Sequence, residues 1–241
     1  MTGQPRVLWI AFKQFLVQIY KDAMLVLICI APFLCGGLFK YILPIAEKLA
    51  ERYIPLSEIL QPYYILFDLV LGSVTPMLYC FAAAYVILSE VDDGLSRYLA
   101  VTPIGKRGYL LSRIGIPAVI SFIVSIFILM VFHISNISIL EIIGVSFVTS
   151  MSGVITGLLV VALSANKVEG MAVSKLTGLI SLGLPAPFFI NGSIQYLLFF
   201  LPSFWVAKFA IEKNIIYILL GIVISLLWMF LLYKRFEKKI R

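Results

Sequence analysis

The chain has 241 residues, of which 62% are hydrophobic and only 13% are charged, about half the charged share of a soluble domain. A soluble domain of this length could not hide so much apolar surface, so the composition excludes that class of protein. The net charge of +7 would point to nucleic acid in a soluble protein. Here the basic residues lie between and beside long apolar runs, so they are interpreted as topology signals, and no nucleic-acid partner is expected.

The chain begins with a partly amphipathic stretch over residues 1–21. Its polar residues Lys13, Gln14 and Lys21 lie away from one helical face that is apolar. That face is formed by Leu8, Phe12, Phe15, Leu16 and Ile19. The pattern favours a helix that lies on the inner surface of the membrane. The alternative is a cytoplasmic extension of the first membrane span.

Six uncharged runs follow, and each predicts a membrane-spanning helix. The runs are Ala23–Phe39, Leu69–Ser89, Ile114–Leu140, Ile142–Asn166, Leu176–Ala207 and Asn214–Tyr233. About 20 apolar residues cross the hydrocarbon layer as a helix, and the first, shorter run extends through Lys40, whose side chain can snorkel to the interface. Because backbone in lipid must satisfy its own hydrogen bonds, we expect an all-α polytopic membrane protein with six spans.

Six spans place both termini on the same side of the membrane. Under this topology, fourteen of the nineteen Lys and Arg residues lie on the side of the termini and five lie on the other side. The excess of cations predicts that both termini are cytoplasmic and that the protein resides in the cell membrane. The basic tail Lys234–Arg241 fits an anchor at an anionic leaflet.

The fifth run is too long for one crossing and too short for two. It contains Pro185, Pro187, Asn191, Gly192 and Pro202, and proline breaks the helical hydrogen-bond ladder. We predict a span from about residue 176 to 190, followed by an outer re-entrant segment over residues 191–213. The alternative is one long, kinked helix.

The segment between the second and third spans, residues 90–113, is the most informative polar stretch. Its candidate functional residues are Glu90, Asp92, Asp93, Gly94, Leu95, Arg97, Thr102 and Pro103. Asp93 and Arg97 are spaced i,i+4, which suits an ion pair on one helix. The segment is either a short helix pressed against a cytoplasmic partner or a solvated loop whose cations set the topology.

Two further candidate sites lie in and beside the fourth span. Lys167 and Glu169, at its inner end, are either a structural pair and topology marker or a relay of motion from the inner surface. Gly153 and Gly157 form a GxxxG pattern that allows close helix packing, within the chain or between subunits. Outside these sites, Asp68 is expected to be a solvated helix end.

Several catalytic chemistries are absent from the pattern. No GxxxxGK[ST] motif exists to cradle nucleotide phosphates, and His133, the only histidine, has no G-x-S-x-G partner. The cysteines Cys29, Cys35 and Cys80 lie in apolar runs without a CxxC pattern, so neither a disulfide nor a metal site is predicted. We therefore expect no catalytic residue and no cofactor on this chain. A membrane-embedded lipid-modifying enzyme and an ion-coupled secondary transporter remain as alternatives.

Three stretches together resemble the permeases of type-2 ABC transporters, and most closely the small fluoroquinolone-export-type permeases. The first is the Asp-Gly-Leu segment with its later Leu-Ala-Val-Thr-Pro-Ile; the others are Asn166–Lys175 and Leu201–Lys208. The resemblance covers nearly the whole chain in segment order, as a single transmembrane permease domain over residues 1–241.

The resemblance implies a function and partners. The candidate residues of the 90–113 segment would couple to a separate ABC ATP-binding subunit, which would carry ATP and Mg. Lys167 and Glu169 would belong to an inner-loop relay. A second permease subunit, identical or different, would complete the pathway within the membrane lipids. The complex would export a hydrophobic or amphipathic substrate, such as a drug-like molecule, a peptide or a lipid.

Overall fold

The computed structural model describes residues 4–53, 60–94, 105–190 and 192–239, and within these ranges it is helical without a strand. Five helices are long and apolar enough to cross a membrane. They are Ala23–Leu49, Gln61–Asp92, Gly108–Phe132, Ile139–Leu163 and Ile215–Phe236. The all-helical, multi-pass character predicted from the sequence is confirmed. The predicted fifth span is not among these five helices.

The first half of the chain forms four helices before the polar segment. These are α1 (Gln4–Lys21), α2 (Ala23–Gly37), α3 (Leu43–Tyr53) and α4 (Tyr64–Asp92). Between α1 and α2, Asp22 is extended and its side chain accepts a hydrogen bond from the Met24 amide at 3.0 Å. Asp22 is thus the N-cap of α2, and α1 is a separate helix rather than a straight continuation of the first span.

The second half continues from α5 to α11. The helices are α5 (Gly105–Leu110), α6 (Ile116–Phe132), α7 (Ile139–Leu163), α8 (Lys167–Thr177), α9 (Ala186–Phe189), α10 (Pro202–Glu212) and α11 (Ile215–Lys239). Shorter 3₁₀ turns lie at Gln61–Tyr63, Gly178–Gly183 and Ser193–Leu198. The region of the fifth apolar run is therefore divided among several short elements, and its interpretation as one long helix is wrong.

Two π-helical segments, Leu38–Ile42 and Leu111–Gly115, interrupt otherwise continuous helices. Each lies just before a proline, Pro44 or Pro117, whose ring would clash with the carbonyl four residues earlier. A local change from α to π hydrogen bonding accommodates that clash and rotates the preceding side chains. Each π segment carries one cation, Lys40 in the first and Arg113 in the second.

The core of the bundle is α7, which packs against α4, α6, α10 and α11. Gly153 allows α7 to approach α4 so closely that a Cβ atom there would lie 2.6 Å from the Pro76 carbonyl oxygen. One turn later, a Cβ on Gly157 would lie 3.0 Å from the Cys80 carbonyl oxygen. The GxxxG pattern therefore packs inside the chain, against α4.

Side-chain contacts divide the helix ends into two groups, one at each end of the bundle. Each end is named here after one acidic residue that lies there. At the Asp22 end, the Lys167 ammonium lies 3.6 Å from the Asp22 carboxylate. At the Asp68 end, Asp68 accepts hydrogen bonds from the backbone amides of Ile134 and Ser135, at 3.0 and 2.9 Å. Asp68 is fully buried, so the expectation of a solvated residue is wrong.

Candidate functional site

Three side chains at the Asp22 end form a buried polar cluster, called here the clamp: Glu90, Tyr109 and Arg113. The Arg113 guanidinium donates to both Glu90 carboxylate oxygens, with Nη2 2.5 Å from Oε1 and Nε 3.1 Å from each oxygen. The Tyr109 hydroxyl donates to Oε2 at 2.8 Å. The side chains of Arg113 and Glu90 are 1% and 2% exposed. At this burial, each charge depends on the other, because desolvation of an unpaired charge is costly.

The local sequence explains how Arg113 reaches this position. The π segment ahead of Pro117 turns Arg113 toward the bundle, while Glu90 comes from the last turns of α4. The Arg113 guanidinium carbon also lies 5.7 Å from the ring centre of Phe15 in α1. Phe15 is buried against α4, so the clamp joins α1, α4 and the start of the third span.

The clamp lies where the chain enters and leaves the predicted coupling segment. Of the predicted residues, Glu90 is buried, while Asp92, Asp93 and Gly94 are exposed. Leu95, Arg97, Thr102 and Pro103 lie outside the described residues.

The end of α4 falls within the predicted segment. Helix α4 ends at Asp92, and Gly94 has a φ of +70°, in the left-handed region that favours glycine. Asp93 therefore lies just beyond the end of α4. Because Arg97 lies outside the described residues, its predicted i,i+4 pairing with Asp93 stays a prediction.

Asp92 connects the same end of α4 to the start of α8. Its Oδ2 atom accepts a hydrogen bond from the Lys167 backbone amide at 2.9 Å. The Lys167 ammonium lies 4.4 Å above the Tyr85 ring, in addition to its contact with Asp22. The side chain of Lys167 is thus placed between the first and second spans.

Glu169 has a different role from that of Lys167. Its side chain accepts a hydrogen bond from the Ala165 amide, and its own amide donates to the Asn166 side chain at 2.9 Å. This reciprocal arrangement caps the N-terminus of α8. Lys167 and Glu169 therefore do not form a pair with each other, and only Lys167 reaches the other spans.

Sequence reasoning missed the residues that bind Glu90 and Lys167. By sequence alone, Arg113 is one of the cations that set the topology, and no motif includes Tyr109 or Asp22. Glu90 and Arg113 are 23 positions apart and lie on either side of a polar stretch, so no periodicity relates them. The one available signal is that each directly borders an uncharged run, which places both at the boundary of a span.

A large apolar cavity lies beside the clamp. It has a volume of about 730 Å³ and is walled by the π segment of the third span, by α7 and by α11. Leu111 and Ile114, which flank Arg113 in sequence, belong to its lining together with Leu158 and Phe230. The volume falls in the range of pockets that hold drug-sized molecules.

No metal site accompanies these features in the described part of the chain, where no group of three or more His, Cys, Asp or Glu side chains could hold an ion. Of the described acids near the clamp, Asp92 accepts a hydrogen bond from the Lys167 amide and Asp22 accepts one from the Met24 amide.

Comparison with known proteins gives the family context. Residues 15–233 match the family model described as "Fluoroquinolones export permease protein Rv2686c-like". The chain is 28% identical to the fluoroquinolones export permease protein Rv2686c of Mycobacterium tuberculosis strain H37Rv, over 98% of this chain and 96% of that protein. The protein of the same description from strain CDC 1551 is equally similar. No solved structure matches the chain significantly.

Proposed function

Because the chain belongs to the Rv2686c-like fluoroquinolones export permease family, we propose that it is the membrane subunit of an ATP-driven exporter. A separate ABC ATP-binding subunit binds ATP and Mg and docks on the 90–113 segment. A second permease subunit, identical or different, completes the complex. The observation that carries the proposal is the buried clamp, which holds both ends of that segment.

The clamp is suited to transmit movement because it joins elements that are distant in sequence. A force on the 90–113 segment reaches Glu90 at the end of α4 and Arg113 at the start of the third span. Through Phe15 it also reaches α1, and through Asp92 it reaches α8. A buried, hydrogen-bonded ion pair resists separation, so these elements move together. Such a unit can shift the equilibrium between inward-facing and outward-facing states.

Six spans agree with the contacts of the broken region. Lys167 lies at the Asp22 end, while Phe189 stacks on Tyr63 at the Asp68 end with ring centres 5.2 Å apart. These contacts support a sixth crossing by the chain between them, through α8, the 3₁₀ turn and α9. With both termini at the Asp22 end, the cation excess of the sequence supports a cytoplasmic location for that end.

A re-entrant segment is supported by one contact at depth. The Trp228 indole N–H donates to the Phe200 carbonyl at 2.8 Å. Trp228 lies thirteen positions into α11, or about 20 Å from its start at a rise of 1.5 Å per residue. The chain thus descends from Phe189 to this depth and returns through α10 to the Asp68 end. The predicted re-entrant region 191–213 covers this path of the chain. The path itself begins slightly earlier, at Phe189.

The N-terminal helix α1 completes the predicted architecture as an interfacial element. Lys13 and Gln14 are exposed, while Phe12 and Phe15 are buried against the bundle. A helix with this division lies parallel to the membrane surface, its polar side toward water. Its contact with Arg113 then links the membrane surface to the clamp.

For the substrate, we propose an amphipathic drug-like molecule of the kind named for the relatives. The 730 Å³ apolar cavity next to the clamp offers a volume and lining that fit such a molecule. Because the π segment carries both Arg113 and the lining residues Leu111 and Ile114, movement of the clamp changes the cavity wall.

Ion-coupled transport is less favoured by the state of the buried acids. Both oxygens of Asp68 accept hydrogen bonds from the turn at Ile134 and Ser135, and both oxygens of Glu90 accept from Arg113 or Tyr109. A carboxylate saturated by protein donors has little capacity left for a transported cation.

The test compares two exposed glycines that share a left-handed backbone. Gly94 and Gly192 have φ angles of +70° and +81°, and a Cβ on either would meet nothing within 4 Å. A side chain at either position is strained by the positive φ and has open space around it, while only Gly94 belongs to the coupling segment. Gly94→Trp should abolish co-purification of the ATP-binding subunit or substrate-stimulated ATP hydrolysis, whereas Gly192→Trp should retain both. Asp93→Lys should act like Gly94→Trp.

Insertion and expression of all three variants should stay near normal, as judged by membrane yield. Equal ATPase binding and stimulation by Gly94→Trp, Asp93→Lys and the unmodified chain would reject the coupling role. ATP hydrolysis by the purified permease alone would reject the assignment of ATP to a separate subunit.

A further inference from the structure

A small polar pocket opens at the Asp22 end, between α1, α2, α4 and the start of α8. Its volume is about 230 Å³, below the usual range for drug-sized ligands. Its lining includes six polar residues: Gln18, Lys21, Asp22, Ser89, Asp93 and Lys167. The clamp residues Glu90, Tyr109 and Arg113 contribute none of the lining. The pocket is therefore distinct from the clamp, although Asp93 also belongs to the predicted coupling segment.

The depth of the pocket in the membrane follows from the ends of the helices that form it. Asp22 directly precedes the span Ala23–Leu49, and Asp93 directly follows the span Gln61–Asp92. Where apolar spans end, lipid headgroups begin. The inner wall of the pocket is apolar, formed by the buried side chains of Leu25 and Val86. A headgroup with its attached chains matches this change from polar to apolar walls.

The charges in the pocket are balanced rather than of one sign. Lys21 and Lys167 contribute two cations, and Asp22 and Asp93 contribute two carboxylates. A ligand that carries both a phosphate and an ammonium complements this arrangement better than a purely anionic one. A buried pocket for a free anion would instead concentrate cations.

One buried atom indicates which kind of ammonium group the pocket binds. The Gln18 Oε1 atom is buried and has no hydrogen-bond partner in the chain. A buried acceptor of this kind requires a donor, since its exchange with water is lost. A primary ammonium supplies N–H donors, whereas the trimethylammonium of choline has none.

We propose that the pocket binds the headgroup of phosphatidylethanolamine. The ammonium donates to Gln18 Oε1 and to the carboxylates, while the phosphate lies between Lys21 and Lys167. The acyl chains run along α2, where Met24 and Leu27 are exposed. Bound lipid bridges α1 to α4 and α8, so it fixes the position of α1 against the bundle. This inference does not depend on the ATP-driven mechanism.

The experiment measures lipid retention by the full chain. The protein is reconstituted in nanodiscs that contain equal amounts of phosphatidylethanolamine, phosphatidylcholine and phosphatidylglycerol, and retained lipids are counted by native mass spectrometry. We expect preferential retention of one phosphatidylethanolamine and a higher unfolding midpoint in nanodiscs that contain it. Equal retention of phosphatidylcholine would contradict the need for an N–H donor, and equal retention of phosphatidylglycerol would contradict the zwitterionic site.

Matched variants on α1 locate the site. Gln18→Leu and Lys21→Ala should remove the preference for phosphatidylethanolamine. Gln14→Leu and Lys13→Ala change the same residue types at exposed positions of the same helix and should keep the preference. Because Gln18 Oε1 has no partner in the chain, Gln18→Leu should not impair folding. The same lipid preference in the Gln18→Leu and Gln14→Leu proteins would overturn the proposal.

Discussion

Helix α4 carries one buried acid near each of its ends, and the two acids have different partners. At the Asp68 end, the carboxylate accepts hydrogen bonds from the backbone of the turn after α6, at Ile134 and Ser135. At the Asp22 end, Glu90 binds two side chains, Arg113 and Tyr109. The first arrangement fixes a short turn between consecutive spans. The second joins the two sides of a long polar segment.

The cations of the two π segments repeat this difference. Lys40 donates to the Val131 carbonyl near the end of α6, so it satisfies a backbone group at a helix terminus. Arg113 binds the Glu90 carboxylate and lies over Phe15. The same local device, a π turn before a proline, thus serves a helix end in one case and a buried ion pair in the other. Its effect depends on the neighbour that the bundle supplies.

The largest expected effect comes from breaking the clamp at one partner. Arg113→Met leaves the Glu90 carboxylate buried without its cation, which costs about 3–5 kcal/mol in the free energy of unfolding. We expect a low yield of folded protein and a strongly reduced midpoint of thermal unfolding in detergent. The double variant Glu90→Leu/Arg113→Met removes both charges and should recover most of the stability.

The double variant also separates folding from coupling. It should fold but fail to support substrate-stimulated ATP hydrolysis by the partner subunit, because the ion pair that links the segment ends is gone. A double variant that is as unstable as Arg113→Met would show that the guanidinium acts mainly through packing. Full stimulation by a folded double variant would contradict the clamp's role.

The next effect concerns the close contact between α7 and the middle of α4. Gly153→Leu forces α7 away from Pro76, because even a Cβ would lie 2.6 Å from its carbonyl oxygen. Overpacking of this kind costs about 1–3 kcal/mol. Gly37→Ala is the control, since a Cβ there meets nothing within 4 Å, and it should be neutral or slightly stabilising. Equal unfolding midpoints for the two variants would contradict the close packing of α7 on α4.

Removal of Asp68, the buried acid near the start of α4, should affect only the stability of the protein. Asp68→Ala leaves the amides of Ile134 and Ser135 without acceptors, at a cost of about 1–3 kcal/mol. Asp68→Asn keeps one acceptor oxygen and should cost less. Among molecules that fold, ATP hydrolysis by the partner should be stimulated normally. Loss of stimulation in folded Asp68→Asn protein would show that both ends take part in coupling.

The smallest effect is expected at Lys40. Its ammonium is partly solvated and binds one backbone carbonyl, so Lys40→Met should lower the free energy of unfolding by at most about 1 kcal/mol. Denaturant or thermal unfolding of the Lys40→Met and Arg113→Met proteins under the same conditions measures the difference between the two losses of stability. A loss at Lys40 as large as that at Arg113 would remove the distinction drawn between the two π segments.

The spans were readable from sequence because lipid imposes a local rule. Five of the six uncharged runs correspond to long helices, since every backbone group in such a run must be satisfied within its own segment. The fifth run differs because Pro185, Pro187 and Pro202 divide it into short elements. Sequence indicated that it was irregular, but where its backbone turns depends on contacts such as Trp228 with Phe200.

The candidate site was only partly readable. Glu90 and Asp92 were identified from their place in a polar segment, and both take part in contacts that join helices. The sequence did not identify Arg113, Tyr109 and Asp22, because ion pairs between distant segments leave no periodic signal. Asp68 was misjudged for the same reason: its acceptor role depends on a turn 66 positions away.

The sequence by itself determined the class of the molecule, the approximate positions of its apolar helices and the polar segment most suited to a partner. These follow from local composition, because the cost of a charge or an unpaired backbone group in lipid is paid residue by residue. The tertiary structure decided which charges meet. Glu90 finds Arg113 and Asp68 finds the turn at Ser135 only because α4 packs between the first span, α6 and α7. That packing depends on the shapes of whole helix faces, such as Gly153 against Pro76, which no short stretch of sequence contains.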